Sequence, residues 1–171
     1  MVYNSDAVGS VVDIGFFANV SERLSVEQYA MALAHVAALR SEDPYTKVGA
    51  VALNFNNRVI GTGYNGLSPG LVPPAGFWEN REARLDVVCH AEQNLLAQFV
   101  RGSAKVVAVT IMPCEACARS LIAHDVKLVL YGIPYWRTSK SLDIFAFHNV
   151  EIRQVEVDMP TLFQPRCHCE H

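Results

Sequence analysis

Four residues in two short segments have the types and spacing to do chemistry. They are His90 and Glu92 in His90-Ala91-Glu92, and Cys114 and Cys117 in Pro113-Cys114-Glu115-Ala116-Cys117. Cysteines at i and i+3 share one face of a helix, so this pair can grip a single ion. Both follow a proline suited to a helix start, where the positive end of the helix dipole favours thiolates. His90 would add a nitrogen ligand. Three protein ligands leave a fourth tetrahedral position for water, which marks a catalytic zinc site rather than a closed structural one. Glu92, two residues from His90, need not share its face and is better placed to approach that water. Zinc lowers the pKa of water towards neutrality, and a carboxylate alongside can carry the released proton.

The order H-x-E followed by P-C-x-x-C is the signature of zinc-dependent nucleobase deaminases. By that match Glu92 passes the proton to a ring nitrogen and then to departing ammonia, giving hydrolytic deamination of an aminated aromatic ring. Blander readings compete. A lone C-x-x-C is often a redox pair or half of a zinc finger, and a lone histidine is more often a packing or surface residue. Here a proline precedes the motif, no second C-x-x-C follows, and no fourth protein ligand stands between Glu92 and Pro113. The deaminase site is favoured over these.

The elements that must position these residues follow from periodicity. A chain of 171 residues with a hydrophobic fraction of 51% fits one domain with one core. Ser25-Val26-Glu27-Gln28 is a capping box, predicting a helix to about Arg40 with Val26, Tyr29, Ala30, Leu33 and Ala37 on one side. Asp43-Pro44 closes that segment. Val48 to Leu53 and Arg58 to Tyr64 read as a hairpin around Asn56-Asn57. Asn65 to Asn80 holds three prolines and three glycines, a long loop of the kind that is usually functional. A helix is expected from Val88 to Arg101, with Leu95, Leu96, Phe99 and Val100 inward. Val106 to Ile111 is a buried strand that leads into the Pro113 helix, which runs to about His124. Then follow a strand at Lys127 to Tyr131, a helix at Ser141 to His148 and a strand at Val150 to Val157. This order implies an α/β fold, a mixed five-stranded sheet covered by helices on both faces. Residues 1–24 read as a loose arm or a subunit contact, 25–160 as the catalytic domain and 161–171 as a tail.

A formal net charge of −3 argues against a nucleic-acid polymer as partner, because phosphate backbones call for basic surface. The start, Met1 to Phe17, carries Asp6 and Asp13 and no basic residue, unlike a secretory signal. No apolar run is long enough to span a membrane. Five cysteines, two of them assigned to metal, suit a reducing cytoplasm, or a host's cytoplasm for a viral protein.

The chain resembles the cytidine and deoxycytidylate deaminase superfamily, and within it the deoxycytidylate (dCMP) deaminases. Beyond the zinc motif, Arg40-Ser41-Glu42-Asp43-Pro44 with Val48-Gly49-Ala50 resembles the family's R-S-x-D-P…V-G-A stretch. Gly61-Thr62-Gly63-Tyr64-Asn65-Gly66 resembles its G-x-G-Y-N-G turn, and Cys89-His90-Ala91-Glu92-Gln93-Asn94 its C-H-A-E-x-N. The resemblance implies a cytidine-deaminase-like three-layer α/β/α fold and one catalytic Zn2+ on His90, Cys114 and Cys117. It implies conversion of dCMP to dUMP and ammonia. Asn65 would bond the substrate's sugar, the alternative being a plain turn asparagine. Ala91 would offer its backbone N–H to the base carbonyl, Asn94 would buttress the loop, and Tyr135 would stand by the base. Lys47, Arg81 and Arg84 are candidate phosphate contacts, although such cations are more often solvated.

One departure is visible, Tyr135-Trp136-Arg137 in place of the branch's Tyr-His-Asp, and it leaves a modified base or another phosphate count open. The resemblance also implies a homo-oligomer, a hexamer in the dCMP branch, with dCTP and dTTP as effectors. A second zinc site in the tail, Cys167, His168, Cys169 and His171, is a minority reading, since adjacent ligands on one short peptide rarely complete a tetrahedron. Competing functions are a tRNA- or single-stranded-DNA-editing deaminase, and an inert zinc- or nucleotide-binding module. The acidic balance weighs against the first. The retained Glu92 weighs against the second.

Overall fold

The computed structural model describes residues 23–134 and 140–158. The arm lies almost wholly outside the described residues, and Tyr135 and the cysteine- and histidine-rich tail lie entirely outside them. Contacts gather Leu24–Val157 into a first unit. The first unit runs α1 (Val26–Ala38), β1 (Gly49–Asn54), β2 (Val59–Tyr64), α2 (Arg81–Val87), α3 (Ala91–Leu96), β3 (Ala104–Ile111), α4 (Glu115–Ala123), β4 (Leu128–Ile133), α5 (Lys140–Phe147) and β5 (Glu151–Gln154).

The five strands form one mixed sheet in the order β2-β1-β3-β4-β5. β1 pairs antiparallel with β2 and β3, while β3, β4 and β5 are parallel. Side chains alternate across a strand, so the central strands β1, β3 and β4 feed two cores. Val51, Leu53, Val106, Ala108 and Leu130 face Ala30, Met31 and Ala34 of α1. Ala50, Ala52, Val107, Val109 and Val129 face Ala91 and Leu95 of α3, Ala118 and Leu121 of α4, and Phe145 of α5. The expected three-layer α/β/α arrangement is therefore present among the described residues, with α1 on one face and the site-bearing helices on the other.

The capping box forms as read: Ser25 Oγ accepts from the Gln28 N–H (3.1 Å), and Gln28 Oε1 accepts from the Ser25 N–H (3.0 Å). The buried stripe of α1 differs from the expected one. It consists of Ala30, Met31, Ala34, Ala37 and Ala38, whereas Val26 and Tyr29 are exposed. Close approach helps decide this: a β-carbon on Gly49 would lie 2.0 Å from the Ala34 carbonyl oxygen and 2.4 Å from the Ala38 nitrogen, so the Ala34 and Ala38 turn lies directly against β1. At the hairpin, Asn54 Oδ1 accepts from the N–H groups of Asn56 (2.9 Å) and Arg58 (3.0 Å), and Asn57 takes a left-handed φ of 58°.

The expected helix from Val88 to Arg101 is corrected. The structure has α2 before it, an extended step at Val88 to His90, and then only six helical residues in α3. Cys89 pairs with Gly66 in both directions, its N–H to the Gly66 carbonyl at 2.9 Å and the return bond at 3.1 Å. That pairing holds the backbone extended where helical periodicity reads straight through. Val100 lies beyond α3 and is exposed, not inward.

Candidate metal centre and active-site cavity

Two helix starts meet at the site. His90 is the N-cap residue of α3 and Cys114 that of α4, and neither side chain caps its own helix. Both side chains are thereby left for other partners. Cys117 sits in the first turn of α4 and is buried. His90 Nδ1 lies 3.6 Å from Cys114 Sγ and 3.4 Å from Cys117 Sγ. All three ligand atoms lie within 4.8 Å of one another. Tetrahedral zinc with ordinary Zn–S and Zn–N bond lengths sets nitrogen and sulfur about 3.6 Å apart, so the donor set fits that ion.

The electrostatics point the same way. The Cys114 thiol is pulled down to about 3, first by the hydrogen bond from the Cys117 thiol and then by that from His90, against the opposing effect of burial. Cys117 is pushed up, because its proton serves Cys114 and because burial disfavours its charge. One thiolate forms readily and the second waits for a cation. His90 is raised, chiefly by its bond with Cys114, with burial opposing. Glu92 is almost fully buried, and burial raises its carboxyl above the ordinary range.

His90, Ala91, Glu92 and Cys114 line a cavity of about 470 Å3, within the usual size of small-molecule sites. Of the other residues singled out from the sequence, Asn65, Arg81 and Arg84 also line it. Lys47 does not; its ammonium donates to the Ser41 carbonyl. Tyr135 lies outside the described residues.

Asn65 is built in by its own amide. Its Oδ1 accepts from the Val48 N–H and its Nδ2 donates to the Thr46 carbonyl, both at 2.8 Å. Asn94 Nδ2 donates to the Tyr64 carbonyl at 2.8 Å, tying α3 to the end of β2 beside Asn65. The cavity wall also includes Asp43, Tyr45 and Thr46, to which the sequence reading assigned no role. The signal for Asp43 was its place in the Arg40–Pro44 stretch. Among the described residues, no helix is long and apolar enough to cross a membrane.

Comparison with known proteins agrees with this geometry. Residues 24–133 match the family model described as the cytidine and deoxycytidylate deaminase zinc-binding region. Deoxycytidylate deaminase of Mus musculus is 36% identical over 113 residues, covering 61% of this chain and 62% of that protein. The chain thus spans under two thirds of that relative's length. ComE operon protein 2 of Bacillus subtilis (strain 168) is 34% identical over 145 residues, covering 80% of this chain and 75% of that one. The dCMP deaminase of the cyanophage S-TIM5, solved in complex with dCMP and dUMP, shares the fold with a TM-score of 0.64 at 24% identity, covering 78% of this chain and 99% of that one. With the matched region spanning every element from α1 to β4 and all four motif residues, the chain belongs to the cytidine and deoxycytidylate deaminase family.

Proposed function

We propose that this protein is a zinc-dependent hydrolase that converts dCMP and water to dUMP and ammonia. The observation that carries the reading is the His90, Cys114 and Cys117 cluster beside buried Glu92, open to a cavity of nucleotide size. Zinc held by those three ligands supplies Lewis acidity that makes water nucleophilic near neutral pH.

The chain's own residues do the rest. Glu92 takes a proton from the attacking water and delivers it to the ring nitrogen beside C4 as the C4–O bond forms; it then moves the remaining proton of the new C4 hydroxyl to the amino group, so that the C4 carbonyl forms, the C4–N bond breaks and ammonia leaves. Burial suits Glu92 to the task, since it raises the carboxyl above its ordinary range and so favours holding the proton between the two transfers. The Ala91 N–H, at the start of α3, meets the base carbonyl, and the Asn65 amide retains one N–H and one lone pair for the sugar after its two backbone bonds. Arg81 and Arg84 are the cations placed to meet the phosphate, while Lys47 is turned to Ser41.

By the same reading the protein is a homo-oligomer, a hexamer answering to dCTP and dTTP, and works in a reducing cytoplasm. Sedimentation with and without each nucleotide checks the assembly. The activity is tested with zinc-loaded protein on dCMP, dCTP, 5-modified dCMP, deoxycytidine and dAMP, following ammonia release. Turnover of dCMP above the others supports the reading. Release of ammonia from another base with dCMP unchanged refutes it.

A further inference from the structure

Arg84 stands in the cavity wall on α2, a helix in which no residue is buried. Packing of the helix does not hold this side chain; two residues of the loop after α1 do. The guanidinium carbon lies 4.3 Å from the centroid of the Tyr45 ring, and Nη1 lies 3.4 Å from Asp43 Oδ1. The Arg84 and Asp43 side chains are only 16% and 7% exposed. The ion pair is long, and the same Asp43 oxygen already accepts from the N–H groups of Tyr45 (2.8 Å) and Thr46 (3.1 Å). Asp43 therefore satisfies little of a guanidinium that carries five donors. Arg84 Nε is buried and meets no acceptor among the described residues. A buried donor left unmade is costly, yet the protein leaves this guanidinium incompletely partnered.

We propose that Arg84 is the residue that selects a phosphorylated substrate, and that Asp43 and Tyr45 are positioning residues that aim its fork into the cavity. The inference rests on the nucleotide reading above and deepens it. A planar fork suits the paired oxygens of a phosphate better than an ammonium does. Tyr45 fixes the plane of the fork by stacking, and Asp43 fixes its rotation at one corner. The remaining guanidinium N–H groups are left for the anion. Arg81, on the same helix, is exposed and adds charge without that fixed geometry.

The test uses the full zinc-loaded chain with dCMP and deoxycytidine as paired substrates. Arg84→Gln is expected to lower the ratio of their kcat/KM values about 10- to 100-fold, chiefly through the KM for dCMP, as loss of charge-assisted hydrogen bonds predicts. Arg84→Lys keeps the charge without the fork and restores part of the ratio. Asp43→Asn retains an acceptor for the Tyr45 and Thr46 N–H groups, so the loop survives; it lowers the ratio several-fold while the kcat for dCMP is largely kept. Calorimetric titration with dUMP and with deoxyuridine repeats the comparison without turnover. An Arg84→Gln variant whose substrate ratio and dUMP-to-deoxyuridine affinity gap both stay within about twofold of wild type overturns the proposal. If the wild type turns over neither substrate, the deaminase reading fails, and the affinity gap alone decides the role of Arg84.

Discussion

Replacing Gly63 by alanine tests how the sheet sets the position of the site. Gly61 and Gly63 point from β2 towards α3, two residues apart on one face. A β-carbon at Gly63 would lie 2.3 Å from the Ala91 carbonyl oxygen, 2.7 Å from the Leu95 nitrogen and 2.9 Å from the Leu95 β-carbon. Ordinary contact begins at 3.4 Å, so the backbone of α3 or of β2 must retreat by about 1 Å. At Gly61 the new carbon would meet the Leu95 Cδ1 at 3.1 Å and the Gln98 β-carbon at 3.4 Å, side-chain atoms that can give way.

Overpacking against backbone costs about 1–3 kcal/mol, offset by about 0.4–1 kcal/mol from the stiffer unfolded chain. The expected result is a loss of about 1–2 kcal/mol for Gly63→Ala and a change within about 1 kcal/mol for Gly61→Ala. Urea unfolding at fixed free zinc reads both, with the slope unchanged. Because α3 carries Glu92 and starts at His90, a shift of this size should also lower kcat/KM for dCMP about 100-fold in Gly63→Ala. Equal midpoints and equal kinetics for the two variants would refute the reasoning, since the structure distinguishes them only by what lies behind each carbon.

Glu92→Gln should keep zinc, measured by metal analysis, and lose turnover; loss of the metal would contradict the assigned proton-carrying role. In zinc-free protein the same variant should gain stability over wild type as pH rises. Burial raises the folded-state pKa above the ordinary 4.5, so what the protonated carboxyl contributes is full below that value and is lost as pH climbs through the raised one. Unfolding midpoints that differ by the same amount in acid and at neutral pH would refute this. Zinc binding should release protons, since His90 and Cys117 both hold them above their ordinary ranges, and affinity should rise with pH; calorimetry in buffers of different ionisation enthalpy counts them. Asn65→Ala should cost about 1–3 kcal/mol in stability as well as raising KM, because it strands the Val48 N–H and the Thr46 carbonyl, so urea unfolding must accompany the kinetics.

Where a local rule governs, residue order was enough. The capping box at Ser25 and the asparagine hairpin each depend on neighbours a few residues away, and each appears as read. The metal donors were legible because zinc demands particular atoms. No hydrophobic period announced α2, since its seven residues bury no face; its local signal is the Asn80 cap, whose Oδ1 accepts from the Ala83 N–H. Nothing local marked Cys89 as extended, since its partner Gly66 lies in a distant loop.

Only the fold could bring Asp43 and Tyr45 against Arg84, or tie Asn65 to Thr46 and Val48. Sequence by itself pointed to the candidate ligands, the carboxylate and the proposed class of reaction, because chemistry limits which side chains can hold zinc and carry its proton. Tertiary structure decided which cations face the cavity and what aims them, because burial and ion pairing across about forty residues are properties of packing rather than of order along the chain.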